Sequence, residues 1–215
     1  MSVIVLKSEF PVRYKIWLGK TRLHKPETRK KQFSMAEEIN IHPEFSLSSF
    51  RNDIGIIKLK TPMKFTKYVQ PLCLPEKDEA TDKRTAYIAG WGEMLKRRAN
   101  SGRMGKLSKV LQHTWLPIMP DADCLKAAPR DAVYDNATML CAGKGKGKRD
   151  ACSGDSGGPL VVYQKVKNAK SVEFYQWTTV GIVSWGEGCA LKKQYGYYTR
   201  LFPFLAWIKG IVGLI

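Results

Sequence analysis

The chain has 215 residues, 44% hydrophobic and 11% aromatic, enough apolar material for one large or two small globular domains. No apolar run approaches the roughly 18 residues that span a bilayer, and the opening MSVIVLKSEF lacks the basic start, long apolar region and cleavage site of an export signal. Thirty-six Lys and Arg against nineteen Asp and Glu leave a net charge of +17, a field that either attracts polyanions or only keeps the chain soluble.

In chain order, the segments YKIWLG, EEINIH, DIGIIKL, TAYIAGW, KVLQHTWLPI, PLVVY and QWTTVGIVSW are short, β-rich and bounded by Gly, Pro, Asn or Asp. Many short strands with frequent turn signals predict an all-β barrel or sandwich. The segment 71–84, PLCLPEKDEATDKR, carries proline and charge and reads as a crossing linker between two β halves. At the C-terminus, Leu201, Phe204, Leu205, Ile208 and Ile211 recur at helical spacing, which predicts a terminal amphipathic helix. Five cysteines, at 73, 124, 141, 152 and 189, include no CxxC pair, so disulfides fit better than a metal site, with one cysteine left over. Disulfides imply an oxidising compartment.

The stretch DACSGDSGGPLV at 150–161 sets a serine among glycines. Glycine lets backbone amides approach a reacting carbonyl closely, and such amides can stabilise an oxyanion beside the serine. Together with AGWG at 89–92, MLCAG ending at 143, GIVSWGEGC at 181–189, YGYYTRLFPFLAWI at 195–208, RNDIGIIKLKTP at 51–62 and VQPLCLP at 69–75, this loop resembles the chymotrypsin-like serine proteases. The resemblance runs from about Val12 to the C-terminal helix. It implies two antiparallel six-stranded β-barrels, the first of them incomplete here, with a C-terminal helix. On this frame residues 1–72 are a partial first barrel, 73–84 a linker, and 85–215 the second barrel with its helix.

The resemblance also implies roles. Ser156 matches the nucleophile and Asp53 the buried aspartate that orients the catalytic imidazole. Gly154 and Ser156 match the oxyanion-hole amides, and Gly55 stands where the family usually has Ala. Ser184, Trp185 and Gly186 match the strand that pairs with an extended substrate. Asp150 matches the base of the specificity pocket, with Gly186 and Gly196 on its walls, which implies a protein substrate with Lys or Arg before the cleaved bond. Tyr195 matches a position that in clotting- and complement-type members goes with Na⁺ held by nearby carbonyls; an ordinary strand aromatic is the other reading. No other cofactor and no metal is implied.

Cys124 with Cys141 and Cys152 with Cys189 match two family disulfides, while Cys73 matches a cysteine that ties the catalytic domain to an upstream chain. Ala86 and Val162 stand near the places of another family pair. Asn136-Ala137-Thr138 is a glycosylation sequon, and by family the protein is secreted. Basic clusters at 20–31, 96–98 and 144–149 fall in loops; the first occupies a loop that binds Ca²⁺ through acids in some members, and its cations point instead to a heparin-like polyanion.

One component is missing from the pattern. The family takes its base from an LTAAHC-type segment upstream of the aspartate, and none of His24, His42 and His113 lies in such a segment. An IVGG-like mature start, whose amine pairs with the aspartate matching Asp155, is not seen either; the IVG at 211–213 is internal. The chain is therefore expected to be zymogen-like and inert, a fragment of a trypsin-like endopeptidase. The alternative is a non-catalytic homologue that binds polyanions or proteins.

Overall fold

The computed structural model describes residues 2–3, 14–27, 31–80, 82–94, 105–147, 149–167 and 170–213. The basic cluster at 96–98, residues 28–30 of the first basic loop, Lys148 and Val12 lie outside the described residues.

Two sheets carry the fold. Strands β1 (Ser2–Val3), β2 (Lys15–Leu18), β3 (Gln32–Ile41) and β4 (Gly55–Leu59) form an antiparallel sheet in the order β1-β4-β3-β2. Ile16, Ala36 and Ile57 are its buried centre, with Tyr14, Leu18, Ile39 and Leu59 packed around them. The second sheet contains β5 (Thr85–Gly90), β8 (Gln112–Pro117), β9 (Met139–Ala142), β10 (Pro159–Lys167), β11 (Glu173–Trp185) and β12 (Gly196–Arg200). Between β5 and β8, β6 (Glu93–Met94) pairs with β7 (Lys106–Leu107).

The six strands lie in the order β8-β5-β10-β11-β12-β9. The sheet then closes on itself: Ile118, just past β8, bridges Ala142 at the end of β9, and the Gly143 amide donates to the Pro117 carbonyl. Closure removes free strand edges, which an open six-stranded sheet would expose. Inside are Ile88, Leu116, Leu140, Leu160, Val180 and Tyr198. Ala86 and Val162 are fully buried in the same core, so apolar packing fills the space where the resemblance places another disulfide.

The sequence pattern missed one helix, α1 (Asp121–Ala127), which is too short to show a full apolar period. Asp121 and Asp123 in its first turn and Lys126 in its last complement the helix dipole, and the buried Cys124 anchors it. The terminal helix forms as expected: a 3₁₀ turn at Phe202–Phe204 leads into α2 (Leu205–Val212), ended by Gly213 in the left-handed region. Leu201, Phe204 and Ile208 pack with Ile54 and Ile56 of the first half and Ile182 of the second, so the C-terminal segment clamps the two sheets together. Ile211 departs from the predicted stripe and is 41% exposed, because the last turn of α2 runs past this core. The architecture is the all-β, chymotrypsin-like one with a C-terminal helix. No helix among the described residues is long and apolar enough to cross a membrane.

Candidate active site

Ser156 sits on the crest of a tight loop entering β10 and is exposed. The loop folds because glycines flank the serine: Gly154 has φ 95° and Gly157 φ 80°, backbone that other residues adopt only with strain. The Asp155 amide donates to the Cys152 carbonyl, and the Gly158 amide to the Asp155 carbonyl, at 2.9 Å each. Gly157 and Gly158 are tied to Val183 of β11 by a further pair of backbone bonds of 2.9 Å.

Asp155 turns inward. One carboxylate oxygen accepts the Gly92 amide at 2.7 Å and the other the Cys152 amide at 3.0 Å. A Cβ on Gly90 would lie 1.9 Å from the first oxygen, and one on Gly92 2.3 Å from the second. The AGWG glycines are therefore the cradle of Asp155, a role that the sequence pattern alone did not reveal. Among the described residues no cationic group forms an ion pair with Asp155, and no side chain hydrogen-bonds the Ser156 hydroxyl.

Asp53 precedes β4 and is 5% exposed. The Ser184 hydroxyl donates to its carboxylate at 2.6 Å, and the Thr199 hydroxyl to its backbone carbonyl at 2.7 Å. Ser184 was expected only as part of the substrate strand. Its bond to Asp53 crosses 131 residues of sequence, and no local pattern announces it. Phe50 and Asn52 adopt left-handed backbone before Asp53 and turn the chain so that the carboxylate faces the second half.

A second buried carboxylate lies beside the Ser156 loop. Asp150 accepts the Ala190 amide at 3.0 Å through one oxygen, while its other oxygen is buried without a hydrogen-bond partner, as is the Tyr198 hydroxyl. A Cβ on Gly196 would lie 2.8 Å from that unpartnered oxygen, so glycine keeps the space over it open. Gly186 faces Gly196, its Cβ position 3.8 Å from the Gly196 Cα. Burial pushes the Asp150 carboxyl up to about 6; the amides of Ala190 and Ala151 pull the other way, and the charge of Asp155 adds to the rise. Burial, with Asp150 nearby, raises the Tyr198 phenol well above its ordinary value.

Trp185 stacks on Tyr197 with ring centroids 3.9 Å apart and planes within 2°. The Tyr197 hydroxyl donates to the Cys124 carbonyl at 2.9 Å, which fixes the lower ring. Phe50 lies 6.3 Å from Trp185. Tyr195 packs under the turn of Gly143 and Gly145. A cavity of about 700 Å³ opens between the Ser156 loop and the first sheet, lined by Asp155, Ser156 and Gly157 on one side and Leu18, Leu59 and Met63 on the other.

The three histidines are placed elsewhere. The His42 ring contacts Phe204 and Trp207 at 5.3 and 5.0 Å, and its Nδ1 accepts the Glu44 amide. His113 is exposed on β8 opposite Ala89, and His24 is exposed in the first basic loop. None of them lines the cavity beside Ser156.

Cys124 bonds Cys141, joining α1 to β9, and Cys152 bonds Cys189, joining the Ser156 loop to the far side of the space around Asp150. Cys73 is free and exposed, and its backbone is held by Trp177 and Thr179 of β11. Alkylation of the oxidised chain followed by peptide mass spectrometry is expected to tag one thiol, at Cys73. A bridge from Cys73 to any of the other four would contradict this. Asn136 is exposed on a turn in which the Thr138 hydroxyl bonds Asp135.

The trypsin family profile matches residues 5–208. Mannan-binding lectin serine protease 1 of Rattus norvegicus is 33% identical over 204 residues, covering 95% of this chain and 27% of that protein. The same-named protein of Mus musculus is 32% identical over the same length. The chain thus spans about a quarter of the length of these relatives. The GDSGG loop, the buried Asp53 and the two-sheet fold agree with the match over nearly the whole chain, and the chain belongs to the trypsin family of serine protease domains.

Proposed function

We propose that this chain is a trypsin-like serine endopeptidase domain of clotting or complement type, secreted, which cleaves protein substrates after Arg or Lys. The observation that carries the specificity is the Asp150 carboxylate, buried beside Ser156 with one oxygen lacking a partner and a glycine wall holding space open above it. A buried carboxylate oxygen without a donor is costly, and a guanidinium or ammonium supplies both charge and donors. The Cys152–Cys189 bridge and the Ala190 amide hold the pocket around it.

In the reaction, the Ser156 hydroxyl attacks the scissile carbonyl while the Gly154 and Ser156 amides receive the oxyanion. A histidine takes the serine proton and returns it to the leaving amine, and Asp53, steadied by Ser184, holds that histidine in its working tautomer. We read the 215 residues as inert by themselves, because none of the three histidines lines the cavity beside Ser156 and, among the described residues, Asp155 has no cationic partner. Ser184, Trp185 and Gly186 form the edge along which an extended substrate pairs, and stacking on Tyr197 keeps Trp185 flat against that edge. Cleavage profiling of the longer protein on a peptide library tests this reading; Arg or Lys is expected before the cut, and a preference for aromatic or small residues would sink it.

The free, exposed Cys73 supports a disulfide to an upstream chain. The first basic loop is the heparin-like exosite: Lys15, Lys20 and Lys31 lie over the exposed Trp17 ring at 4.6, 5.6 and 4.7 Å. Replacing Lys20, Arg22, Lys25 and Lys31 by serine is expected to bring elution from a heparin column to lower salt. Unchanged elution would show these charges to be merely solvated.

A further inference from the structure

The second basic loop is built differently from the first. Its sequence alternates glycine and lysine from Gly143 to Gly147, and the structure shows the purpose of the alternation. Gly145 and Gly147 have φ of 61° and 71°, and a Cβ on Gly147 would lie 2.6 Å from the Ala190 carbonyl oxygen. Glycine at that place lets this loop press against the 190–193 loop. The two are zipped by backbone: Lys146 bridges Lys192, and the Lys193 amide donates to the Gly145 carbonyl at 2.8 Å.

The zipper gathers cations from two loops. Lys144, Lys146, Arg149, Lys192 and Lys193 are all exposed, and among the described residues none forms an ion pair with a carboxylate. The Lys144 ammonium and the Arg149 guanidinium both lie over the Trp115 ring, 3.5 and 4.8 Å from its centroid. Desolvation, then the charges of Arg149 and Lys146, hold the Lys144 ammonium below its ordinary value. Like charges fixed together by backbone repel one another, and a multivalent anion relieves that repulsion. The same charges repel Na⁺, so they weigh against the sodium reading of the neighbouring Tyr195.

We propose that Lys144, Lys146 and Arg149, paired with Lys192 and Lys193 of the facing loop, form a binding site for a sulfated glycan, separate from the first basic loop and independent of the protease reading. Two observations choose a glycan over nucleic acid. Two disulfides assign the chain to an oxidising compartment, where sulfated glycans are the available polyanions. In addition, the exposed ring of Trp115 beside these cations is covered by Lys144 and Arg149, and Tyr195 is packed under Gly143 and Gly145, which denies bases the stacking surface that single-stranded nucleic acid uses.

The test is calorimetric titration of the oxidised 215-residue chain with a heparin-derived hexasaccharide. A variant with Lys144, Lys146, Lys192 and Lys193 replaced by serine is expected to bind about tenfold or more weakly, while the first-loop variant keeps a site of near wild-type affinity. Thermal unfolding of the four-serine variant should match wild type, since each of its replaced side chains is exposed. Undiminished binding in the four-serine variant, or binding that disappears with the first-loop charges alone, overturns the site. An oligonucleotide of matched charge that binds as tightly, and is lost with the same four lysines, overturns the assignment to a glycan.

Discussion

A fluorophosphonate probe is expected to leave Ser156 unlabelled in the 215-residue chain. The probe reports serines activated by a base, and each of the three histidines is engaged elsewhere: His42 against Phe204 and Trp207, His113 on the outside of β8, His24 in an exposed loop. Loss of the base from a serine triad costs on the order of a million-fold in turnover. The second deficit concerns Asp155, whose carboxylate is held by the amides of Gly92 and Cys152 in place of an ion pair. A carboxylate stabilised by neutral donors is held less firmly than one with a charged partner, so the Gly154 amide beside it is less well fixed for an oxyanion. A longer polypeptide that carries a histidine segment upstream, once cleaved to free its amine, should label stoichiometrically. Stoichiometric labelling of the shorter chain would overturn the reading. A longer protein without such a histidine, inert to the probe, would favour the binding homologue instead.

The sequence spoke most clearly where chemistry fixes residue identity locally. The DACSGDSGGP loop needs glycine at 154 and 157 for its positive φ, so its tight turn could be read from a dozen letters. The C-terminal helix was likewise visible, because Leu201, Phe204 and Ile208 face one core. Contacts made across long sequence separations were not visible. The Ser184 bond to Asp53, the Asp155 cradle built from Gly90 and Gly92, and the Trp185–Tyr197 stack each join segments whose local patterns do not mention one another. The lysines of the 144–149 loop were legible as charge. The backbone bridge of Lys146 to Lys192 and the bond of Lys193 to Gly145 appeared only when the glycines at 145 and 147 let two loops touch.

Replacing Asp150 in the longer, activated protein should have the largest effect on substrate choice. Asp150→Ser is expected to lower kcat/KM for Arg and Lys substrates by several orders of magnitude, because a site built around a buried polar group loses most when the matching partner is gone. The serine should not create an apolar preference of similar strength, since the Tyr198 hydroxyl remains buried and unpartnered at the pocket base. The same carboxyl sets a pH dependence whose sign follows from its raised value. Its ordinary pKa is 3.8 and burial lifts it to about 6 in the folded chain, so between these values the folded state holds the proton more than the unfolded state does. Stability contributed by the protonated form is therefore present below the unfolded value and is lost as pH rises through about 6. After allowance for partial exposure the loss is on the order of 1–2 kcal/mol. Asp150→Asn should remove that slope, so that its melting temperature overtakes the wild type as pH rises from about 4 to 7. Affinity for an amidine ligand should move the opposite way, strengthening as pH climbs through about 6, because the cation binds the ionised carboxylate. Amidine affinity that is flat across this range in the wild type would mean that Asp150 is not the group that meets the cation.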